Sequence, residues 1–198
     1  RIYAIDINKY KFSYYKLGTQ FKNRCHIQRI LAIAIPISTM EVYRACFEDI
    51  GLKVITFIAP FDAKLAVLRH IDKNIKIWTE VLCLVHIEMD NVEVYFYHEH
   101  EILSIASIQY IPDRLDDLAI EFKRIFDYFH IENYDKSIDV IILSGNCHND
   151  KKYVELFNYL GYKCYFVDNQ MLGFKSHLDD RIFSPAIYVK ALGAALYN

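Results

Sequence analysis

The apolar run "DVIILSG" ends in Ser144-Gly145-Asn146 and leads into "KKYVELFNYL", so a glycine turn lies between a buried strand and a helix. Such a turn suits a phosphate: backbone N–H groups reach its oxygens only where no side chain intervenes, often at angles that other residues resist. Cys147 and His148 follow at once and have the types of a nucleophile and its base. Adjacent residues in a loop point apart, however, so a turn beside a helix start is the better reading. In "YHEHE", His98 and His100 fall on one side of an extended chain, the spacing of a two-histidine metal pair. No third ligand accompanies them, a polar hairpin turn accounts for the stretch, and no metal site is expected.

The elements that must position these residues follow from periodicity. "IWTEVLCLVHIE", "VEVYFY" and "ILSIASI" are three successive strands, an antiparallel meander whose last two members are joined by "HEHE". From Leu115 the apolar residues Leu118, Ala119, Phe122, Ile125, Phe126 and Phe129 recur at steps of three and four, which makes a helix. Asp150 caps the helix after "DVIILSG", "KCYFVD" is a further strand, and Ser184-Pro185 opens a last helix, "AIYVKALGAALY". Its Ala191, Gly193, Ala194 and Ala195 let it lie close against a neighbour. Upstream, residues 2–17 read as one or two strands and "RILAIAIP" as a short apolar one. "STMEVYRACFEDIG" reads as a helix with a Ser38/Glu41 capping box, the apolar face Val42, Cys46, Phe47 and Ile50, and a closing Gly51. "KVITFIAP" and "FDAKLAVLRHI" continue as strand and helix, an alternation that predicts parallel pairing.

At 198 residues, 54% hydrophobic and 24% charged, the chain can bury a core and belongs among globular proteins. Its net charge of -2 supplies no basic field for a nucleic-acid backbone, so nucleic acid is not an expected partner. Five cysteines, odd in number and without C-x-x-C spacing, suggest neither a zinc ribbon nor a disulfide framework and fit a reducing cytoplasm. The longest apolar run, residues 30–37, is far short of the roughly 20 residues a membrane helix needs. Tyr10, Phe12, Tyr14 and Tyr15 put aromatic groups on both faces of one strand and are the candidate partner surface.

The order of elements over 77–198 resembles the ribonuclease-H-like half of an actin-like ATPase. Several stretches resemble one branch of that superfamily: PilM of type IV pilus assembly, the cytoplasmic parts of GspL-type type II secretion proteins, and the bundle-forming pilus protein BfpC. "FEDIGLKVITFIAPFDAKLAVL" is similar to the family's "aGL" segment, "LVHIE" to its strand ending in Asp-x-Gly, "EFKRIFDYFHI" to the helix before the adenine-side loop, and "KALGAAL" to its terminal "AlGlAL" helix. The expected fold is α/β, an incomplete actin-like body with mixed sheets covered by helices. Residues 1–74 would be the remnant of a first half, and 75–198 a second subdomain without the family's usual insertion.

The resemblance also places the nucleotide loops, and both are degraded. The family's Asp-x-Gly becomes His86-Ile87-Glu88, with Asp90 just beyond; its Gly-Gly becomes Gly145-Asn146. His86 replaces a carboxylate that would help hold magnesium. Glu88 sets a negative side chain where phosphate belongs, a repulsion of roughly 3 kcal/mol per unit charge at about 5 Å and an effective dielectric of about 20. Asn146 can keep the turn in a left-handed conformation. The first phosphate hairpin has no counterpart, so neither ATP nor magnesium is expected as a cofactor and no ATPase activity is expected. What the resemblance implies is a non-enzymatic scaffold at the cytoplasmic face of a bacterial inner membrane. It would link pilus or secretion platform proteins to the assembly ATPase, with a homodimer left open and, in the GspL-like version, a membrane helix after Asn198. The alternatives are an active nucleotide-binding protein of the PilM or FtsA type and, behind it, a divergent sugar-kinase-like enzyme.

Overall fold

The computed structural model describes residues 6–22, 25–74, 81–99, 101–109, 114–147, 150–173 and 184–197. The chain divides into two units, Arg1–Ala59 and Pro60–Asn198.

In the first unit a 3-10 turn, Ile7–Lys9, leads into strand β1, Tyr10–Lys22, which pairs antiparallel with β2, Cys25–Pro36, before helix α1, Ile37–Glu48. The register runs from Tyr10 opposite Pro36 to Lys22 opposite Cys25, with a bulge between Leu17 and Thr19. The parallel pairing expected over 30–71 is therefore replaced by a long hairpin. "KVITFIAP" forms no strand, and its Ile55 is 92% exposed. A strand exists only where a neighbour completes its hydrogen-bond ladder, and the described residues of this unit offer that segment none. The Ser38/Glu41 capping box is also absent: α1 begins at Ile37 with Pro36 as cap and no side-chain cap bond, because β2 runs directly into the helix. Val42, Phe47 and Ile50, predicted to face a core, are exposed. Gly51, at φ +78°, does end the helix as expected. Residues 2–5 lie outside the described residues.

The second unit follows the predicted order closely. Helix α2, Pro60–Asn74, is followed by β3, Val81–Ile87; β4, Asn91–His98; β5, Glu101–Gln109; α3, Leu115–Glu132; β6, Ile138–Gly145; α4, Lys151–Tyr159; β7, Cys164–Phe166; and α5, Val189–Leu196. The five strands form one sheet in the order β5-β4-β3-β6-β7. β3, β4 and β5 are an antiparallel meander, and β3, β6 and β7 run parallel. Such a mixed sheet needs cover on both faces, and β3 is buried at every position. On one face α3 and α4 contribute a phenylalanine cluster: Phe96 stacks on Phe129 at 4.1 Å between ring centroids, and Phe122 meets Phe157 at 4.7 Å. Asp150 caps α4 through its side chain to Lys152 N at 3.2 Å, as its position predicts.

The boundary expected after residue 74 falls after Ala59 instead, because α2 packs against α5 within the second unit. Gly193 makes this contact: a Cβ there would stand 1.8 Å from the Ala63 carbonyl oxygen. Ser184-Pro185 precedes a turn, residues 185–188, and the helix proper starts only at Val189. Gly193→Val must push α5 off α2, and an overpacked contact of this kind costs about 1–3 kcal/mol. A urea melt monitored by circular dichroism should show that loss; an unchanged midpoint would mean the two helices do not need their close approach.

Candidate functional site

The strand ends that resemble nucleotide loops lie side by side. β3 and β6 pair in parallel so that His86 is level with Ser144, and Ile87 with Gly145. Their carboxyl ends are where open α/β sheets place ligands. Here that position is filled by side chains of the unit itself.

His86 is 2% exposed. Its Nδ1 lies 2.8 Å from Ser144 Oγ and its Nε2 3.2 Å from Glu88 Oε1. A carboxylate only accepts, so Nε2 carries the hydrogen and Ser144 donates to Nδ1. Lys190 of α5 donates to the same Glu88 oxygen. One step further in, Lys64 of α2 has no exposed surface; its ammonium pairs with Glu93 and donates to Tyr95 Oη at 3.3 Å, while Tyr95 donates to Glu93 at 2.9 Å. Five elements, α2, β3, β4, β6 and α5, thus contribute to two polar clusters that feel each other's charge.

Their electrostatics follow from burial. Desolvation pulls the Lys64 ammonium down to about 7, the nearby Lys190 adds to the fall, and Glu88 opposes it. Desolvation likewise takes His86 down to about 4, helped by the Lys64 and Lys190 charges and opposed by Glu88. The Lys190 hydrogen bond holds Glu88 below the usual carboxylate range. Burial raises the Tyr95 phenol. Ser144, His86 and Glu88 have the residue types of a hydrolytic triad. Yet a base titrating near 4 is too weak at neutral pH, and Ser144 is wholly buried.

The backbone donors of both loops are also engaged. Glu88 N–H donates to Asn91 O at 2.8 Å, Gly145 N–H to Ala186 O at 2.8 Å and Asn146 N–H to Ile87 O at 2.7 Å. The left-handed residue of the turn is Gly145, at φ +91°, and not Asn146. Glycine is required there by the sheet, since a Cβ would stand 2.1 Å from Ile87 O. Asp90 is exposed on the β3–β4 turn, outside both clusters.

Cys147 is buried, its thiol donating to Ser144 O at 3.2 Å and pushed up to about 12 by burial, so it is no nucleophile. His148 and His100 lie outside the described residues. Among the described residues, no group of three His, Cys, Asp or Glu side chains could hold a metal ion. Tyr10, Phe12 and Tyr14 share one face of β1 and Tyr15 the other; Phe12 and Tyr14 are 52% and 68% exposed. The sequence reading missed Lys64, Glu93, Tyr95, Ser144 and Lys190. The available signals were a lysine inside the apolar stretch "DAKLAVL" and a glutamate between the valines of "VEVYFY".

A buried neutral histidine makes stability depend on acid. With 6.5 as its ordinary value and about 4 in the fold, the unfolded chain binds the extra proton between those limits. The contribution of His86 is therefore complete above pH 6.5 and lost as pH falls through about 4, a loss of about 3 kcal/mol. Urea melts at stepped pH should show this limb, and His86→Asn should flatten its upper part. An equally steep limb in that variant would assign the effect elsewhere.

Neither a protein family profile nor a curated protein matches the sequence. Among solved structures, a PilM-PilN type IV pilus biogenesis complex is similar with a TM-score of 0.68 at 14% identity, covering 98% of this chain and 68% of that one. A Bacteroides thetaiotaomicron protein of actin-like ATPase fold and unknown function is more distant, with a TM-score of 0.49 at 11% identity over 82% of this chain and 57% of its own. The mixed sheet with flanking helices and the first of these likenesses make the fold actin-like.

Proposed function

We propose that this chain is a non-catalytic, pilus-related scaffold of actin-like fold, of the PilM, GspL and BfpC kind. It would bind inner-membrane platform proteins on the cytoplasmic side and couple them to the assembly ATPase. The observation that carries this reading is the occupied site. Where the fold would receive phosphates, Glu88 and Lys190 neutralise each other, His86 and Ser144 satisfy each other, and the amides of residues 88, 145 and 146 already donate. The likeness to a protein solved in complex with PilN supports a platform partner. No described helix is long and apolar enough to cross a membrane, so in this reading the described part reaches the membrane through that partner.

Isothermal titration with ATP and magnesium, and with ADP in parallel, tests the proposal. No heat of binding is expected up to millimolar nucleotide; micromolar binding would restore the active-switch alternative. Glu88→Gly should leave phosphate release at background, because His86 still stands where a metal carboxylate is needed. Steady hydrolysis by that variant would overturn the scaffold reading.

A further inference from the structure

The first unit carries a surface that the filled site does not use. From Ile7 to Pro36 the sequence contains Lys9, Lys11, Lys16, Lys22, Arg24 and Arg29 and no Asp or Glu, in a chain whose net charge is -2. These residues make the hairpin a cationic segment. Among the described residues its sheet has only two strands, so each has an edge that meets no other strand. Lys9 is answered by Asp6 at 3.6 Å, whereas Lys11 and Lys16 are exposed without an ion-pair partner among the described residues.

The register sorts the side chains. Phe12, Tyr14 and Lys16 share one face with Ala34, Ala32 and Ile30 directly opposite; Lys11 lies on the other face, opposite Ile35. Phe12, Tyr14 and Ile30 are exposed, as are Ala32 and Ala34 beside the two rings. A bare strand edge with uncovered aromatic groups is a template for another strand, and lysines on the edge decide which strand it accepts. A second copy pairing on the same edge would bring another lysine-bearing strand without a carboxylate alongside the first, a like-charge approach that opposes association. An acidic strand meets opposite charge in the same place.

We infer that the β1 edge docks an extended acidic segment of a partner protein by strand addition. Its apolar residues lie over Phe12 and Tyr14, and its carboxylates lie beside Lys11 and Lys16. This rests on the scaffold reading and names the chemistry of one partner.

The probe is an extended peptide with the repeat Glu-Thr-Val-Thr-Val-Glu, which in antiparallel pairing sets its valines by Phe12 and Tyr14 and its glutamates by Lys11 and Lys16. It is set against the same peptide with lysine for glutamate, a single-stranded oligonucleotide and phosphatidylserine vesicles. Fluorescence anisotropy should show binding of the acidic peptide that weakens with salt, and hydrogen exchange should slow across residues 10–22. Lys11→Glu with Lys16→Glu should weaken it at least about tenfold. Lys11→Gln with Lys16→Gln should weaken it less, and Lys123→Glu on α3 should leave it unchanged. Absence of binding, equal binding of both peptides or by the charge-reversed protein, or preference for the oligonucleotide or vesicles would overturn the assignment. Nucleotide binding in the titration above would refute the scaffold reading alone; a silent titration with a failed peptide would refute this assignment alone.

Discussion

A lysine ammonium with no exposed surface is the constraint around which the second unit is arranged. Taking a charge out of water costs several kcal/mol, so Lys64 must keep a counter-charge within reach. Glu93 supplies it from β4, where the strand alternation that buries Val92 and Val94 turns Glu93 to the α2 side. Tyr95, two residues on and on the same face, ties both groups. A second cation, Lys190, comes close because α5 lies on α2 at Gly193, and Glu88 answers it. Burial, helped by the two nearby cations, keeps His86 neutral, and neutrality lets it bridge Ser144 and Glu88. Each member is fixed by the one before.

Such clusters do not stabilise the fold more than well-packed apolar side chains would; what they supply is a single arrangement. Removing one member of a buried pair leaves an uncompensated charge and costs about 3–5 kcal/mol, whereas replacing a whole pair by apolar groups can be neutral. Two helices and three strands must therefore meet in this register for any partner to be satisfied.

The second unit was legible in the sequence because its signals are local and agree. Helix periodicity from Leu115, strand alternation in "VEVYFY" and Asp150 ahead of α4 each point to the element that forms. The first unit was less legible because its outcome depends on pairing. "KVITFIAP" has strong strand propensity, yet propensity only says that a residue fits a pleated surface and not that a neighbour exists. The candidate site divides in the same way. His86 and Glu88 stand out at the end of an apolar strand, but Lys190 lies 102 residues from the carboxylate it pairs with, and Lys64 lies 29 from its own. No window of sequence contains both halves of either pair.

What a nucleotide would have to overcome at this site can be put in free energy. Micromolar binding of a nucleotide is worth about 8 kcal/mol. To enter here, a triphosphate would have to separate Lys190 from Glu88 and leave Lys64 and His86 facing a new charge distribution. Breaking one such pair costs about 3–5 kcal/mol where it is buried, and less for Glu88 and Lys190, which are partly exposed. The retained Glu88 carboxylate adds a repulsion of roughly 3 kcal/mol per phosphate charge. Together these terms offset about half of what micromolar binding supplies. In the scaffold reading, the polar groups of this unit keep one arrangement whether or not nucleotide is present.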